Sequence, residues 1–382
     1  MSRLNQDEKN ALTAWVLDAL SRTRYACSTL TPLSGGSANF VFRGELRTPI
    51  DPETKTVIVK HSTDFLLVNR DFNIDLSRCS AEATILRALN GADYQLPFIA
   101  PRLLHYDAET NTQVHEDFHD AVLLDPTVLH SSGVVLSWGS DSFAKQIGSR
   151  LGSALRAFHD WAAQPEQSPL RSEIWRNEPM RKLKHDTTYV NFIRMLENFP
   201  SLLDGCRKSL EQVQAMAADE FAKSPADMEG DPDWGLIHGD FWLGNALVNP
   251  DHSEHLVLID WELAQFGHRA YDLGQMVSDL VEKQMLDGLS AEMAWTLEGF
   301  ARGYGSISED LAFRTAIHAG ARYLYWYVRR PPGPELRADP DRLLRMMRFG
   351  RDMILKGWER DRGWFLQTDL APLFGSFPGD PI

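Results

Sequence analysis

Cysteine is nearly absent from this chain: Cys27, Cys79 and Cys206 are its three, widely spaced and without a C-x-x-C pair. So odd and scattered a set excludes a disulfide scaffold and a zinc ribbon, and fits reduced thiols in a cytosolic protein. Long apolar runs are missing as well. No stretch of about 18 apolar residues occurs, so no membrane-spanning helix is expected. The amphipathic, acid-bearing start MSRLNQDEKNALTAWVLDAL lacks the apolar centre of a signal peptide. Basic charge is scarce too: 39 Lys and Arg against 53 Asp and Glu leave a formal net charge of −14. Nucleic acid and anionic membranes need basic patches and are not expected partners. The acidity is compatible with a cationic small substrate or with metal ions, and equally with solubility alone. The expected location is the cytoplasm.

What is present is a globular composition, 382 residues with 43% apolar and 10% aromatic content, enough for one large or two smaller cores. Leu12, Trp15, Val16 and Leu20 recur at helical spacing and predict a helix over 7–22. STLTPLSGGSANFVFRGEL and VIVKHS read as short strands, broken by a Gly-containing turn and by the loop TPIDPETK. A helix is predicted over 78–90, ending near Gly91, and further strands at 112–118 and in AVLLD. Beyond residue 140 the apolar spacing is mostly helical, interrupted by two short apolar runs, and 362–382 reads as loop. The expected class is α+β: a β-rich N-terminal part, residues 1–118, and a mostly α-helical C-terminal part, 119–382.

The two interrupting runs end in acids. LIHGD stops at Asp240, with Asn245 five residues on; LVLIDWE stops at Asp260, with Glu262 two residues further. An Asp in a turn often does no more than cap local backbone. Two carboxylates and an amide oxygen after apolar runs form instead a hard-oxygen set that suits Mg²⁺. An Asp beside such a set can accept a proton from a substrate hydroxyl. Upstream, Ser34, Gly35, Gly36 and Asn39 lie in a small-residue turn where backbone N–H groups can approach an anion. The turn lacks both G-x-G-x-x-G and G-x-x-x-x-G-K-[ST], and reads equally well as an ordinary β-turn. Lys60 ends the run Val57-Ile58-Val59, and Glu82 in the following helix is available to pair with it.

HGDFWLGN followed by LVLIDWELAQFGHRAYDLG resembles the catalytic and metal-binding segments of the aminoglycoside phosphotransferase and choline kinase superfamily. The shared pattern is H-x-D-x-x-x-x-N, then an apolar strand ending I-D-x-E, then D-x-G. The wording is also similar to methylthioribose kinase-like and fungal tryptamine-kinase-like members. The resemblance implies a two-lobed protein-kinase-like fold and an ATP- and Mg²⁺-dependent phosphotransferase. Its acceptor would be the hydroxyl of a small molecule: an amino alcohol, aminoglycoside, sugar or hydroxylated amine.

Residue by residue, the resemblance implies that Asp240 is the catalytic base and that Asn245 and Asp260 ligate Mg²⁺, with Glu262 an outer metal or water ligand. Lys60, oriented by Glu82, would hold the nucleotide phosphates, and Ser34, Gly35, Gly36 and Asn39 would cover them. Glu116, between His115 and Asp117, falls where main-chain atoms would bind adenine. His238 would hold the loop and Asp272 would brace it. Trp242, inside the loop, is the residue expected to meet substrate; the aromatic run Arg322–Tyr327 and the pair Arg329-Arg330 read as core and solvated helix end. Three other readings remain, one of them metal-dependent hydrolysis by the same acids, which would need no ATP. A protein kinase is disfavoured by IDWE in place of D-F-G and by the lack of A-P-E. A nucleotide-binding pseudokinase serving as an interaction module would lack one of Lys60, Asp240, Asn245 or Asp260, and all four are present.

Overall fold

Alternation builds the first sheet. β1 (Cys27–Pro32), β2 (Asn39–Leu46) and β3 (Thr56–Ser62) turn Leu30, Phe40, Phe42, Val57 and Val59 into a shared core. Val16 and Leu20 of the helix Gln6–Leu20 join that core, and Asn5 caps the helix through a reciprocal bond with Glu8. A two-stranded ribbon follows, β4 (Phe65–Leu66) with β5 (Asn69–Asn73), then β6 (Leu103–Asp107) and β7 (Thr112–Glu116). The sheet order is β1-β2-β3-β7-β6, antiparallel throughout. Its register sets Lys60 between Val41 on β2 and Gln113 on β7.

The structure, a computed structural model, describes residues 4–33, 38–67, 69–91, 95–125, 140–228, 230–249, 256–286, 289–329, 333–375 and 377. It divides into two compact units. The first comprises Met1–Gln95, Ile99–Ala121 and Val257–Leu263, and the second comprises Leu96–Phe98, Val122–Leu256 and Ala264–Ile382. The late segment enters the first unit where Val257 bridges Ile99 in parallel and Leu258 N donates to Ile99 O at 2.9 Å.

The second unit is mostly helical. Its strands include two short pairs, β8 (Val122–Leu123) with β10 (Ala246–Val248) and β9 (Trp234–Ile237) with β12 (Gln265–His268); β11 (Leu256–Leu258) starts at the last residue of the stretch Val122–Leu256, and its Val257 and Leu258 belong to the first unit. Its main helices are Asp141–Ala163, Ala270–Leu286, Ser290–Tyr304, Glu309–Arg329 and Pro340–Trp358. Two of them touch backbone to backbone. A Cβ at Gly152 would lie 2.2 Å from Phe300 O, and one at Gly303 would lie 2.0 Å from Ser149 O. Gly152→Val must therefore push Asp141–Ala163 away from Ser290–Tyr304. It is expected to lower stability by about 1–3 kcal/mol or more in denaturant titration, whereas Gly363→Ala, whose Cβ meets only Asp361 Oδ1 at 3.6 Å, leaves the midpoint in place.

The α+β class, β-rich first and mostly helical afterwards, is the class observed. Two elements differ from the sequence reading. Gln265–His268 is a strand although QFGH has no alternating pattern, because its partner β9 supplies the ladder. The tail is not all loop: it folds into the helix Arg362–Phe365 and the turn Ala371–Phe374. Phe365 stacks on Phe374 at 4.7 Å, and both rings pack on Phe313, which anchors the tail to the core. Among the described residues no helix is long and apolar enough to cross a membrane.

Candidate active site

A buried charge needs partners, and Lys60 has several. Its Nζ donates to both Glu82 oxygens at 2.8 and 2.9 Å and to Asp260 Oδ1 at 2.5 Å, with Glu262 Oε2 at 3.6 Å. Glu262 Oε2 also accepts from Asn39 Nδ2 at 2.8 Å and from Arg78 Nε at 3.1 Å. Asn39 Oδ1 accepts from Ser62 Oγ and from Arg78 Nη2, and Arg78, fully buried, reaches the carbonyls of Thr63 and Asp75. Lys60 and Arg78 thus stand among three carboxyl groups, those of Glu82, Asp260 and Glu262.

Burial pulls the Lys60 ammonium down, but Asp260, Glu262 and Glu82 together hold it well above 10.5, so it is charged. Burial drives Glu82 up to about 7 against the attraction of Lys60. Glu82, Asp260 and Glu262 can each bring one oxygen within 4.8 Å of the others, and oxygens of this kind fit a hard divalent cation. Only Asp260 opens outward: its side chain is 34% exposed, against 2% and 5% for Glu82 and Glu262. It sits at φ +66°, in the left-handed region that Asp tolerates better than most residues.

The remaining residues expected to hold nucleotide are placed differently. Ser34, Gly35 and Gly36 lie outside the described residues, as does Arg330. Glu116 ends β7 opposite Val57, pairs with Arg102 at 3.2 Å, and spends its backbone N–H on Arg102 O. His115, beside it, is buried and pushed down to about 3, so it is neutral and bonds to Gln113 Oε1 at 2.7 Å.

In the second unit β9 leads into His238-Gly239-Asp240, and Gly239 turns the chain at φ +79°. Asp272, wholly buried in the first turn of Ala270–Leu286, accepts from His238 N at 2.7 Å and Gly239 N at 2.9 Å. His159 Nε2 meets the same carboxylate at 3.1 Å while its Nδ1 meets Tyr304 OH at 2.9 Å. Burial would raise Asp272, but the bonds and charges of His159 and His238 keep it below 3.8. The loop therefore rests on an ionised brace. His238 contributes its ring as well, Nδ1 accepting from Asp240 N at 3.3 Å.

Asp240 is held on both oxygens. Oδ2 accepts from Asn245 Nδ2 at 2.9 Å and from Trp242 Nε1 at 3.3 Å, and Oδ1 accepts from Gln275 Nε2. Lys184 supports this set, donating to Gln275 Oε1 and, at 2.7 Å, to Gly239 O. Burial would raise the Asp240 carboxyl, but Lys184, Arg322 and the Gln275 bond bring it below 3.8. It is an ionised, fixed acceptor, able to orient a hydroxyl and take its proton. Trp242 is thus tied to Asp240 itself; its ring also lies 5.3 Å from Lys283 Nζ, and a Cβ on Gly244 would sit 2.4 Å from it.

Arg78, Lys184 and Gln275 escaped the sequence reading. Gln275 left a signal, a polar residue one turn after Asp272 in the apolar stretch AYDLGQMV; Arg78 and Lys184 look like solvated helix charges.

Residues 30–315 match the profile of the phosphotransferase enzyme family, APH. The chain belongs to that family, as HGDFWLGN and LVLIDWE led one to expect, and it is a small-molecule kinase. The phosphotransferase FrzJ of a Cladobotryum species is 30% identical over 387 residues, spanning 96% of this chain and 97% of that protein. The 4-hydroxytryptamine kinase of Psilocybe cyanescens is 24% identical, spanning 77% of this chain and 79% of that protein. A methylthioribose kinase of Bacillus mycoides is 22% identical, spanning 68% and 61%. Among solved structures, a choline/ethanolamine kinase family protein from Mesorhizobium loti aligns over 96% of this chain and 100% of that chain, with 15% identity and a TM-score of 0.47.

Proposed function

We propose that the protein transfers the γ-phosphoryl group of ATP, with Mg²⁺, to a hydroxyl of a small molecule. The observation that carries this reading is the Asp240 carboxylate, ionised and held by Gln275, Asn245 and Trp242 in the family's own motif. The acceptor oxygen forms a bond to the γ-phosphorus as the bond from that phosphorus to the bridging oxygen breaks. ADP leaves with the electron pair, and the hydroxyl proton passes to Asp240. Positioning and electrostatics account for the catalysis.

In this reading residues 1–118 are the nucleotide-binding part and 119–382 the catalytic and acceptor-binding part. Lys60, fixed by Glu82, holds the phosphates. Asn39, together with Ser34, Gly35 and Gly36, would cover them, and the main chain around Glu116 would take adenine. Asp260 and Asn245 are the residues that would hold Mg²⁺, with Glu262 behind Asp260; the ion would neutralise charge on the phosphates. Trp242 would touch the acceptor, a role supported by its Nε1 bond to Asp240 Oδ2. The names of two relatives, a 4-hydroxytryptamine kinase and a methylthioribose kinase, support hydroxylated amines and sugars as acceptor classes, beside amino alcohols and aminoglycosides. A cytoplasmic location accords with this use of ATP.

The test is ADP release from Mg²⁺-ATP across amino alcohols, aminoglycosides, pentoses and hydroxytryptamines. At least one acceptor is expected to raise turnover, and EDTA to abolish it. If none exceeds the Asp240→Ala background, or if ATP does not bind, the reading fails.

A further inference from the structure

The helix Glu309–Arg329 carries a row of buried polar atoms that have no partner among the described residues: Thr315 Oγ1, His318 Nε2 and Arg322 Nη1. Spacings of three and four put all three on one face. His318 already uses Nδ1 on Tyr189 OH at 2.8 Å, so Nε2 is its idle atom. The face packs on the helix Ala270–Leu286. A Cβ at Gly274 would lie 2.9 Å from both His318 Cβ and Thr315 O, and further along Arg329 Nη2 reaches Glu282 Oε2 at 2.5 Å. Arg322 lies between those two fixed points, level with the stretch from Gln275 to Asp279. That stretch holds the catalytic loop, through Gln275 on Asp240 and through Asp279 Oδ2, which accepts from Leu243 N at 3.3 Å.

The neighbouring charges are already spent on one another. Arg329 is paired with Glu282, Lys283 with Asp279 and Asp125, and Arg314 with Glu220. Asp272 gives its oxygens to His159 and to two backbone N–H groups, and Lys184 donates to Gly239 O and Gln275 Oε1. Arg322 alone of these cations has neither hydrogen bond nor ion pair among the described residues; its guanidinium carbon lies 5.5 Å from the Tyr325 ring, a cation–π contact that leaves the N–H groups without an acceptor. Asp240 and Glu282 attract it from a distance, while burial and Arg329 pull it down to about 10. A guanidinium whose buried nitrogen has no acceptor is costly unless something binds there, and its fork matches two coplanar oxygens.

We propose that Arg322 binds a carboxylate of the acceptor, so that the molecule phosphorylated at Asp240 is a carboxylate-bearing hydroxy compound rather than a bare amino alcohol. This rests on the phosphotransferase reading and names its substrate class. It assigns a specificity role to a residue in the same unit as the base, on the helix beside the one that steadies the base.

The experiment uses the full chain with Mg²⁺-ATP and matched acceptors that differ by one carboxylate: ethanolamine against serine, tyramine against tyrosine, 5-hydroxytryptamine against 5-hydroxytryptophan. The wild type is expected to favour a carboxylate member in kcat/KM by about 10- to 100-fold, the worth of one charge-assisted contact. R322Q brings that ratio toward one, chiefly through KM, and R322K, which keeps the charge but loses the fork, retains part of it. Thermal melts of both variants establish that they fold. Preference for the carboxylate-free members, or a ratio that R322Q leaves unchanged, overturns the proposal while Asp240-dependent turnover keeps the phosphotransferase reading. If R322Q depresses every acceptor and acceptor-free ATP hydrolysis alike, Arg322 serves the transferring phosphoryl group and the proposal also falls. If neither series gives Asp240-dependent ADP release, the underlying reading falls with it.

Discussion

Asp240→Asn is expected to lower acceptor-dependent ADP release by about 10²–10⁴-fold, the usual contribution of a positioned general base. The substitution keeps the shape of the side chain but removes its charge and one acceptor oxygen. Three donors converge on the native carboxylate, from Asn245, Trp242 and Gln275. An amide can satisfy them only in part, so a loss of about 1–3 kcal/mol in stability accompanies the loss of rate. The rate effect belongs in kcat, because accepting the hydroxyl proton is part of the chemical step and not of ATP binding. Since Lys184, Arg322 and Gln275 outweigh burial and hold the wild-type carboxyl below 3.8, the proposed base is ionised at neutral pH. Its own protonation takes activity away only below about pH 4. Steady-state kinetics of wild type and variant from pH 5 to 8 check both points.

Lys60→Met is expected to damage stability and activity together. The ammonium is the shared partner of Glu82 and Asp260, with Glu262 close by, and all but Asp260 are buried. Removing one member of such a set leaves carboxylates desolvated, at a cost of about 3–5 kcal/mol. If Lys60 holds the phosphates as proposed, its loss costs a further factor of about 10²–10³ in rate. The sign of the pH dependence is specific. Wild-type Lys60 is held above 10.5, so its contribution is complete below that pH and fades only as pH rises through the folded value. In the variant Glu82, already raised above 4.5 by burial, rises further without Lys60. Its stabilising protonated form is present at low pH and lost as pH rises through the folded value. The destabilisation measured by denaturant titration is therefore larger at pH 8 than at pH 5. Equal losses at the two pH values contradict this account.

Much of the site was legible because its parts are local in the chain. HGDFWLGN carries Asp240 and Asn245 within one loop, and LVLIDWE carries Asp260 and Glu262 within one turn, so spacing alone exposes them. Lys60 and Glu82 are 22 residues apart, and strand-then-helix order was enough to suggest a pair that the structure brings into contact. What escaped depends on distance along the chain. Arg78 meets Glu262 across 184 residues, and Lys184 meets Gly239 and Gln275 across 55 and 91. In the sequence each is one more cation on a helix; only folding removes it from water and gives it a partner. The same holds for Gln265–His268, which has no strand pattern of its own and becomes a strand by pairing with β9. Arg322 is the sharpest case, since the aromatic run around it reads as core and hides a guanidinium with a buried, unpartnered nitrogen.

The most direct test of the central claim is calorimetric titration of ATP, with and without Mg²⁺, into wild type, Asp240→Asn and Asp260→Asn, followed by ADP release from the same samples. The account predicts Mg²⁺-dependent ATP binding in the wild type, unchanged binding without acceptor-dependent turnover in Asp240→Asn, and loss of the Mg²⁺ dependence in Asp260→Asn. Wild type that does not bind Mg²⁺-ATP, or Asp240→Asn that phosphorylates an acceptor at the wild-type rate, contradicts it.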